Sequence, residues 1–346
     1  MQAGVELGLG VQSDKRGADY ARLATIAEAA GFDVVSVFSD LLFQPPIYPL
    51  LEMARVTSRV RLGAACWNPY TMHPYEIAGQ LAALDQASAG RAYLGLTRGS
   101  WLGAIGVDQR RPVRRLREAV AVIRALLSGD ADGVDGEVFR LAPGTTLRYP
   151  LPDRMPPLLI GTWGPRTAAL AGELADEVKI GGTANPSMVE VMRDRLAPGR
   201  ARAGRAADAV GIVVGAVTVV DADGRAARAR ARAEVAMYLD VVARLDPTVR
   251  LPPDLLGMVR KHLDAGDHER AGASIPDDVL DLFAFAGTPE QVAAQTQALI
   301  DAGVRRVEFG TPHGLTDAGG VELLGSAVLP LLDREKRRSG GQLPRP

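Results

Sequence analysis

Cysteine is almost missing from this chain. Cys66 is the one thiol in 346 residues, so no intramolecular disulfide framework can form. Histidine is scarce as well, with four residues and no paired spacing, which argues against a structural zinc site and gives no reason to invoke a metal. Only Lys15, Lys179, Lys261 and Lys336 are lysine, which leaves 36 arginines among the 40 basic residues; with the abundant alanine, this reads as GC-rich coding rather than as a binding surface. Charge of one sign does not predominate: 40 basic against 41 acidic residues give a net charge of -1, so no global field draws nucleic acid or an anionic membrane. No apolar run approaches the roughly 20 residues a membrane span needs. The N-terminal stretch MQAGVELGLGVQSDKRG has no charged segment before an apolar core, so neither export nor anchoring is expected and a reducing cytoplasm fits. The chain also lacks a GxxxxGK[ST] phosphate loop, a GxSxG elbow, an HExxH pair and a GxGxxG followed by an acidic residue in strand-helix context, which removes the commonest nucleotide, hydrolase and metalloprotease readings.

What is present is a rhythm. Short β-branched runs alternate with longer amphipathic ones, the pattern of strand-helix units around a parallel sheet. Strands are expected at Val5 to Leu9, Val34 to Phe38, 60–65, 92–97, 158–161, 177–182, 211–220 and 304–310. Between them fall helical patterns near 46–57, 74–88, 112–128, from Pro165, and near 186–203. The first helix carries Leu23, Ile26, Ala27 and Ala30 on one stripe and stops at Gly31, a residue type suited to a left-handed C-cap. Eight such units in one domain over 1–333 predict a (β/α)8 barrel with a helical insertion at about 221–286, between strands seven and eight. An open doubly wound sheet is the alternative. The residues 334–346 mix charge with Gly and Pro and read as a mobile tail.

Barrel enzymes carry their chemistry just beyond the strand C-termini. The three tryptophans, Trp67, Trp101 and Trp163, all fall there in a chain with 5% aromatic residues, which suggests a flat conjugated ligand; they could equally seal the barrel top. Gly161-Thr162-Trp163-Gly164-Pro165 turns from strand into helix with Pro165 suited to the first helical position, a plausible phosphate cradle that Gly181-Gly182-Thr183 could complete. Glycines at such turns are also ordinary. Asp40 ends the second strand and Glu6 lies inside the first; both are candidates for acid-base work, with Glu6 facing a helix and Asp40 capping one as the plainer alternatives.

The segments GVEL, EAAGFDVVSVFSD, VRLGAACWNPYTMHPYEIAGQLAALDQASAGRAYLGLTRGS, PPLLIGTWGPRTAALAGELADEVKIGG, FAFAGTPEQV, GTPHG and LLGSAVLPLL together resemble the luciferase-like family of flavin and deazaflavin barrels. The likeness is closest to the coenzyme F420-dependent branch, and within it to the methylenetetrahydromethanopterin reductases. It runs from about residue 4 to 332 and implies a luciferase-like barrel, assembled as a homodimer or higher homo-oligomer through its early helices. It also implies a non-prolyl cis peptide at or beside Ala65-Cys66 that backs a tricyclic ring. Asp40, Ala64, Ala65, Cys66, Asn68 and Thr97 would surround that ring. Gly161, Thr162, Gly164 and Pro165, helped by Gly181 and Gly182, would hold the cofactor phosphate, and Glu6 or Asp40 would handle a proton.

Departures from the family pattern narrow the reading. Leu41 stands where relatives carry His, Trp101 where alcohol-oxidising relatives carry Glu, and Ala65 and Trp67 where reductases have Gly and Thr. These imply a reductase with an altered substrate face, shaped by Trp67, Trp101 and Trp163. It would move a hydride from C5 of the reduced deazaflavin to an electron-poor C=C or C=N of a small molecule or modified peptide, for instance in natural-product biosynthesis; pterin-like carriers remain open. FMN is the alternative cofactor, in a monooxygenase on the same barrel, and a non-catalytic flavin-binding barrel is the third reading.

Overall fold

The computed structural model describes residues 4–335. In chain order its strands are β1 (Glu6–Val11), β2 (Val34–Phe38), β3 (Arg61–Ala65), β4 (Leu94–Thr97), β5 (Val134–Asp135), β6 (Arg140–Leu141), β7 (Leu158–Gly161), β8 (Glu177–Gly181), β9 (Gly211–Val220), β10 (Ala284–Gly287) and β11 (Arg306–Gly314). Eight of them run parallel in the order β3-β2-β1-β11-β9-β8-β7-β4. The two ends of that series meet through the bridges Leu62↔Ala92 and Trp67↔Leu96, which nearly close a (β/α)8 barrel.

The outer layer holds α1 (Gly17–Ala30), α2 (Ile47–Val56), α3 (Pro74–Ala87), α4 (Pro112–Ser128), α5 (Pro165–Leu174) and α6 (Ser187–Arg202). Local chemistry sets their limits. Gly31 ends α1 at φ 90 and Gly129 ends α4 at φ 72, the left-handed conformation glycine adopts without steric cost. His73 caps α3, its Nδ1 accepting from Tyr75 N at 3.1 Å. The main core lies between strands and helices: Leu7, Leu9 and Val11 of β1 face it together with Leu23, Leu50 and Leu81.

Between β9 and β11 lies the insertion, with α7 (Gly224–Ala236), α8 (Leu239–Leu245), α9 (Leu255–Asp264), α10 (His268–Ala273) and α11 (Asp277–Phe283). It has its own apolar cluster around Ala231, Val235, Leu239 and Phe283, and Trp163 packs against both this cluster and the main core. Then α12 (Pro289–Asp301), opened by a Thr288/Gln291 capping box, leads to β11, and α13 (Asp317–Leu323) follows.

Three features differ from the sequence expectation. The insertion ends in a strand, β10, paired with β9 from Ala284↔Val217 to Gly287↔Val220; the apolar run Leu282 to Ala286 passes from helix to strand without a turn residue, so periodicity does not mark the change. The last barrel strand runs on to Gly314, across a cis Thr311-Pro312 bond and a register shift between Gly310 and His313. Arg334, expected in the tail, is tied to the start of the barrel, accepting from Val5 N at 3.0 Å and donating from Nε to Val5 O at 2.9 Å. The rest of the expected tail from 336 lies outside the described residues. Among the described residues, no helix is long and apolar enough to cross a membrane.

Candidate active site

The strands β2, β3, β4, β7 and β8 end at Phe38, Ala65, Thr97, Gly161 and Gly181. Beside them, Gly10 and Gly310 pair in register across β1 and β11. Glycine at four of these seven positions contributes no side chain of its own to the barrel mouth. At Gly10 the requirement is steric, because a Cβ there would come within 2.6 Å of Phe38 Cζ and 3.1 Å of Glu308 Oε1. A peptide bond in the cis form joins Ala65 to Cys66, as the family likeness implies. The chain then re-enters the sheet, Trp67 N donating to Gly95 O at 3.0 Å and Thr97 N to Trp67 O at 2.9 Å.

The structure brings most of the expected mouth residues together. Cys66 Sγ lies 3.1 Å from where a Cβ on Gly161 would stand, and Thr97 Oγ1 donates to Gly161 O at 3.0 Å. Burial pushes the Cys66 thiol up to about 12. Thr162 Oγ1 accepts from Gly164 N at 3.1 Å, and Pro165 opens α5, whose first-turn N-H groups have no partners within the helix. Trp163 Nε1 donates to Gly181 O at 3.0 Å. Gly182 adopts φ 81, and its N donates to Gly215 O at 2.7 Å. Asn68 is a loop former, its Oδ1 accepting from Tyr70 N at 3.2 Å and Thr71 N at 3.0 Å. Ala64 offers the site only its backbone, since its side chain sits in the outer core. Asp40 is exposed at the end of β2 and held by Gln12 Nε2 at 3.0 Å. Trp101 is 57% exposed on the loop after β4.

Two expectations are corrected. Glu6 is the first residue of β1, at the end of the barrel opposite the mouth, where its Oε2 pairs with Arg61 NH2 at 2.6 Å. A carboxylate so placed ties the barrel floor and cannot reach a ligand at the strand C-termini, so the proton role is withdrawn from it. Trp67 does not face the substrate side. It is fully buried in the layer between strands and helices, while its neighbour Cys66 takes the lumen side.

The lumen below the mouth is charged. Its floor joins Glu6, Arg61, Glu177 and Arg306, with Arg306 NH1 2.9 Å from Glu177 Oε2 and Arg61 NH2 3.4 Å from Glu177 Oε1. Above it Lys179 of β8 pairs with Glu308 of β11. Ser36 Oγ donates to Glu308 Oε2 at 2.7 Å, and Tyr93 OH donates to Ser36 Oγ at 2.7 Å. Burial disfavours the Glu308 charge, but the Lys179 and Arg306 cations outweigh it and hold the carboxyl below its ordinary range. Burial, reinforced by Glu308, raises the Tyr93 phenol. Three carboxylates thus balance three cations in a space where an unpaired ion would be untenable. The sequence reading missed Lys179 and Glu308, although the alternating charges Glu177/Lys179 and Arg306/Glu308 inside two strands mark them as inward-facing.

The family described as luciferase-like monooxygenase matches residues 3–306. The chain is 34% identical over 318 residues to the 5,10-methylenetetrahydromethanopterin reductase of Archaeoglobus fulgidus, a match covering 89% of this chain and 93% of that protein. It is 29% identical to the enzyme of the same name from Methanolobus tindarius, over 89% of this chain and 95% of the relative. Among solved structures, the coenzyme F420-dependent tetrahydromethanopterin reductase from Methanopyrus kandleri superposes with a TM-score of 0.87 at 26% identity, covering 96% of this chain and 100% of the other.

Proposed function

Because the chain belongs to the luciferase-like monooxygenase family, we propose that it is an F420-dependent oxidoreductase, a reductase acting on an electron-poor C=C or C=N bond of a small molecule or modified peptide. The observation that carries this reading is the 34% identity, over nearly the whole chain, to a methylenetetrahydromethanopterin reductase. Room for a ring is greatest beside Gly181, where a Cβ would meet nothing within 4 Å, while the Phe38 ring lies over Gly10 and Gly310 and Cys66 Sγ lies against Gly161.

Ala65, Cys66 and Thr97 would line the ring's bed. Gly161, Thr162, Gly164 and Pro165 would hold the phosphate through backbone N-H groups at the start of α5, with Gly181 and Gly182 opposite. When bound, the reduced deazaflavin supplies a hydride. Asp40, fixed by Gln12, would hold or return the proton that accompanies it. Trp101 and Trp163 would present apolar surface to the substrate, which favours an unsaturated natural-product intermediate over a highly charged one. The exposed Leu42, Phe43 and Tyr48 beside α2 suit a homodimer built through the early helices, and the protein would act in the cytoplasm.

Titrating the purified chain separately with F420 and FMN tests the reading. Quenching of F420 fluorescence at micromolar protein, with weaker FMN binding, is the expected result; tight FMN binding without F420 binding would overturn it.

A further inference from the structure

The upper lumen pair lies nearer the mouth than the floor beneath it. The floor ions Glu6, Arg61, Glu177 and Arg306 form a chain of contacts across four strands, Arg306 reaching Glu177 at 2.9 Å and Arg61 reaching Glu6 at 2.6 Å, while Arg306 Nε and NH2 stay buried without a hydrogen-bond partner among the described residues. Lys179 is satisfied only in part. Among the described residues Glu308 is the sole hydrogen-bond acceptor of its Nζ, whereas an ammonium carries three N-H donors. The Phe38 ring also lies 5.0 Å from Nζ to centroid, and Phe38 ends β2 at the mouth.

Lys179 is 7% exposed and Glu308 1%. Burying an ammonium with donors to spare is unfavourable unless something else accepts from them. Apolar residues of similar volume would fill this lumen at least as stably. The pair is also fastened from the far side, by the Ser36 and Tyr93 hydroxyls, which keeps Glu308 fixed and aims its partner.

We propose that Lys179 is the ligand-facing cation of the mouth, donating to the carbonyl edge of the pyrimidinedione ring that deazaflavins and flavins share. The proposal rests on the function proposed above and deepens it. Glu308, which does not itself reach the ligand, is a positioning residue that fixes the ammonium. A cation at that edge strengthens binding and also stabilises the negative charge that the reduced ring carries, so it raises the ring's midpoint potential.

The test uses the double variant Lys179→Met/Glu308→Gln, which removes both charges and so leaves no new ion stranded, together with Lys179→Arg. F420 affinity is read by fluorescence quenching, the potential of the bound ring by spectroelectrochemistry, and folding by the urea midpoint. The double variant is expected to bind F420 on the order of tenfold more weakly with a more negative potential, and Lys179→Arg to recover part of both. Unchanged affinity and potential in a folded double variant would overturn the role of Lys179 while leaving the cofactor reading intact. If the unaltered chain binds FMN and not F420, the cofactor reading falls, and the same variants decide the Lys179 contact with FMN. Binding of neither would overturn both.

Discussion

Ser36 and Glu308, 272 residues apart in the chain, meet across the barrel lumen at 2.7 Å. The contact joins β2 to β11 and makes Glu308 the hub of the upper lumen, since the same carboxylate takes Lys179. Truncating Glu308 leaves that ammonium, 7% exposed, without its carboxylate partner. Glu308→Ala is expected to lower stability by about 3–5 kcal/mol, whereas Ser36→Ala, which leaves the ion pair intact, is expected to lower it by about 1 kcal/mol. Urea unfolding of both variants measures the difference; equal losses would mean that the pair is not the dominant contribution.

Gly95 faces the turn at Ala65-Cys66 from β4. A Cβ at position 95 would stand 2.0 Å from the Ala64 carbonyl oxygen, and the obstacle is backbone, which cannot swing aside as a side chain can. Gly95→Ala is therefore expected to cost about 3 kcal/mol or more and to weaken ring binding by displacing the strand. Calorimetry and an F420 titration check the two effects; an alanine tolerated without loss of either would show that β3 and β4 are further apart.

The fold was legible because each strand-helix unit carries its own signals, as at Gly31 and Pro165, and the bounds of α4 and β9 agree with the periodicity. The strand-to-helix turn from Gly161 to Pro165 was legible as backbone, with Pro165 opening α5, since glycine and proline announce their conformations. Placement was illegible where height in the barrel decides. Glu6, Gly8 and Gly10 share the lumen side of β1, but only Gly10 is near the mouth. Trp67 misled because Ala65 and Cys66 both lie with the lumen cluster while Ala64 and Trp67 lie in the outer core, which shifts the side-chain alternation on which such a reading depends.

Cys66 is expected to be inert despite lying at the mouth. Burial raises its thiol to about 12, so at neutral pH the nucleophilic thiolate is nearly absent. A chromogenic disulfide reagent at pH 8 should label the folded protein far more slowly than the urea-unfolded chain. Comparable rates would mean that the thiol is open to solvent.

Glu28, on α1, takes the backbone N-H groups of Ser58, Arg59 and Val60 at 2.9, 2.7 and 3.0 Å. Burial opposes its charge, but these donors prevail and lower the carboxyl from 4.5 to about 2. A depressed folded value means that the stabilisation is complete above the unfolded value and fades as pH falls from about 4.5 toward 2. Glu28→Gln is expected to cost about 1–2 kcal/mol at pH 7, with the gap to the unaltered chain narrowing in acid. Urea midpoints at pH 7, 4 and 2.5 follow it, and a gap that widened in acid would contradict the assignment.

Trp67 and Trp101 make the sharpest contrast, because the sequence reading treated them alike. Trp67 is fully buried in the layer between barrel and helices while Trp101 is 57% exposed. Trp67→Ala removes the largest buried side chain from a packed core and is expected to destabilise by about 3–5 kcal/mol. Trp101→Ala touches little and should stay within about 0.5 kcal/mol, so any effect it has belongs to substrate turnover, as an altered KM. Measuring unfolding and F420 affinity for both separates the roles. If Trp67→Ala left stability unchanged yet altered turnover, this indole would have to face the mouth after all, and the turn at Ala65-Cys66 would carry the chain the other way.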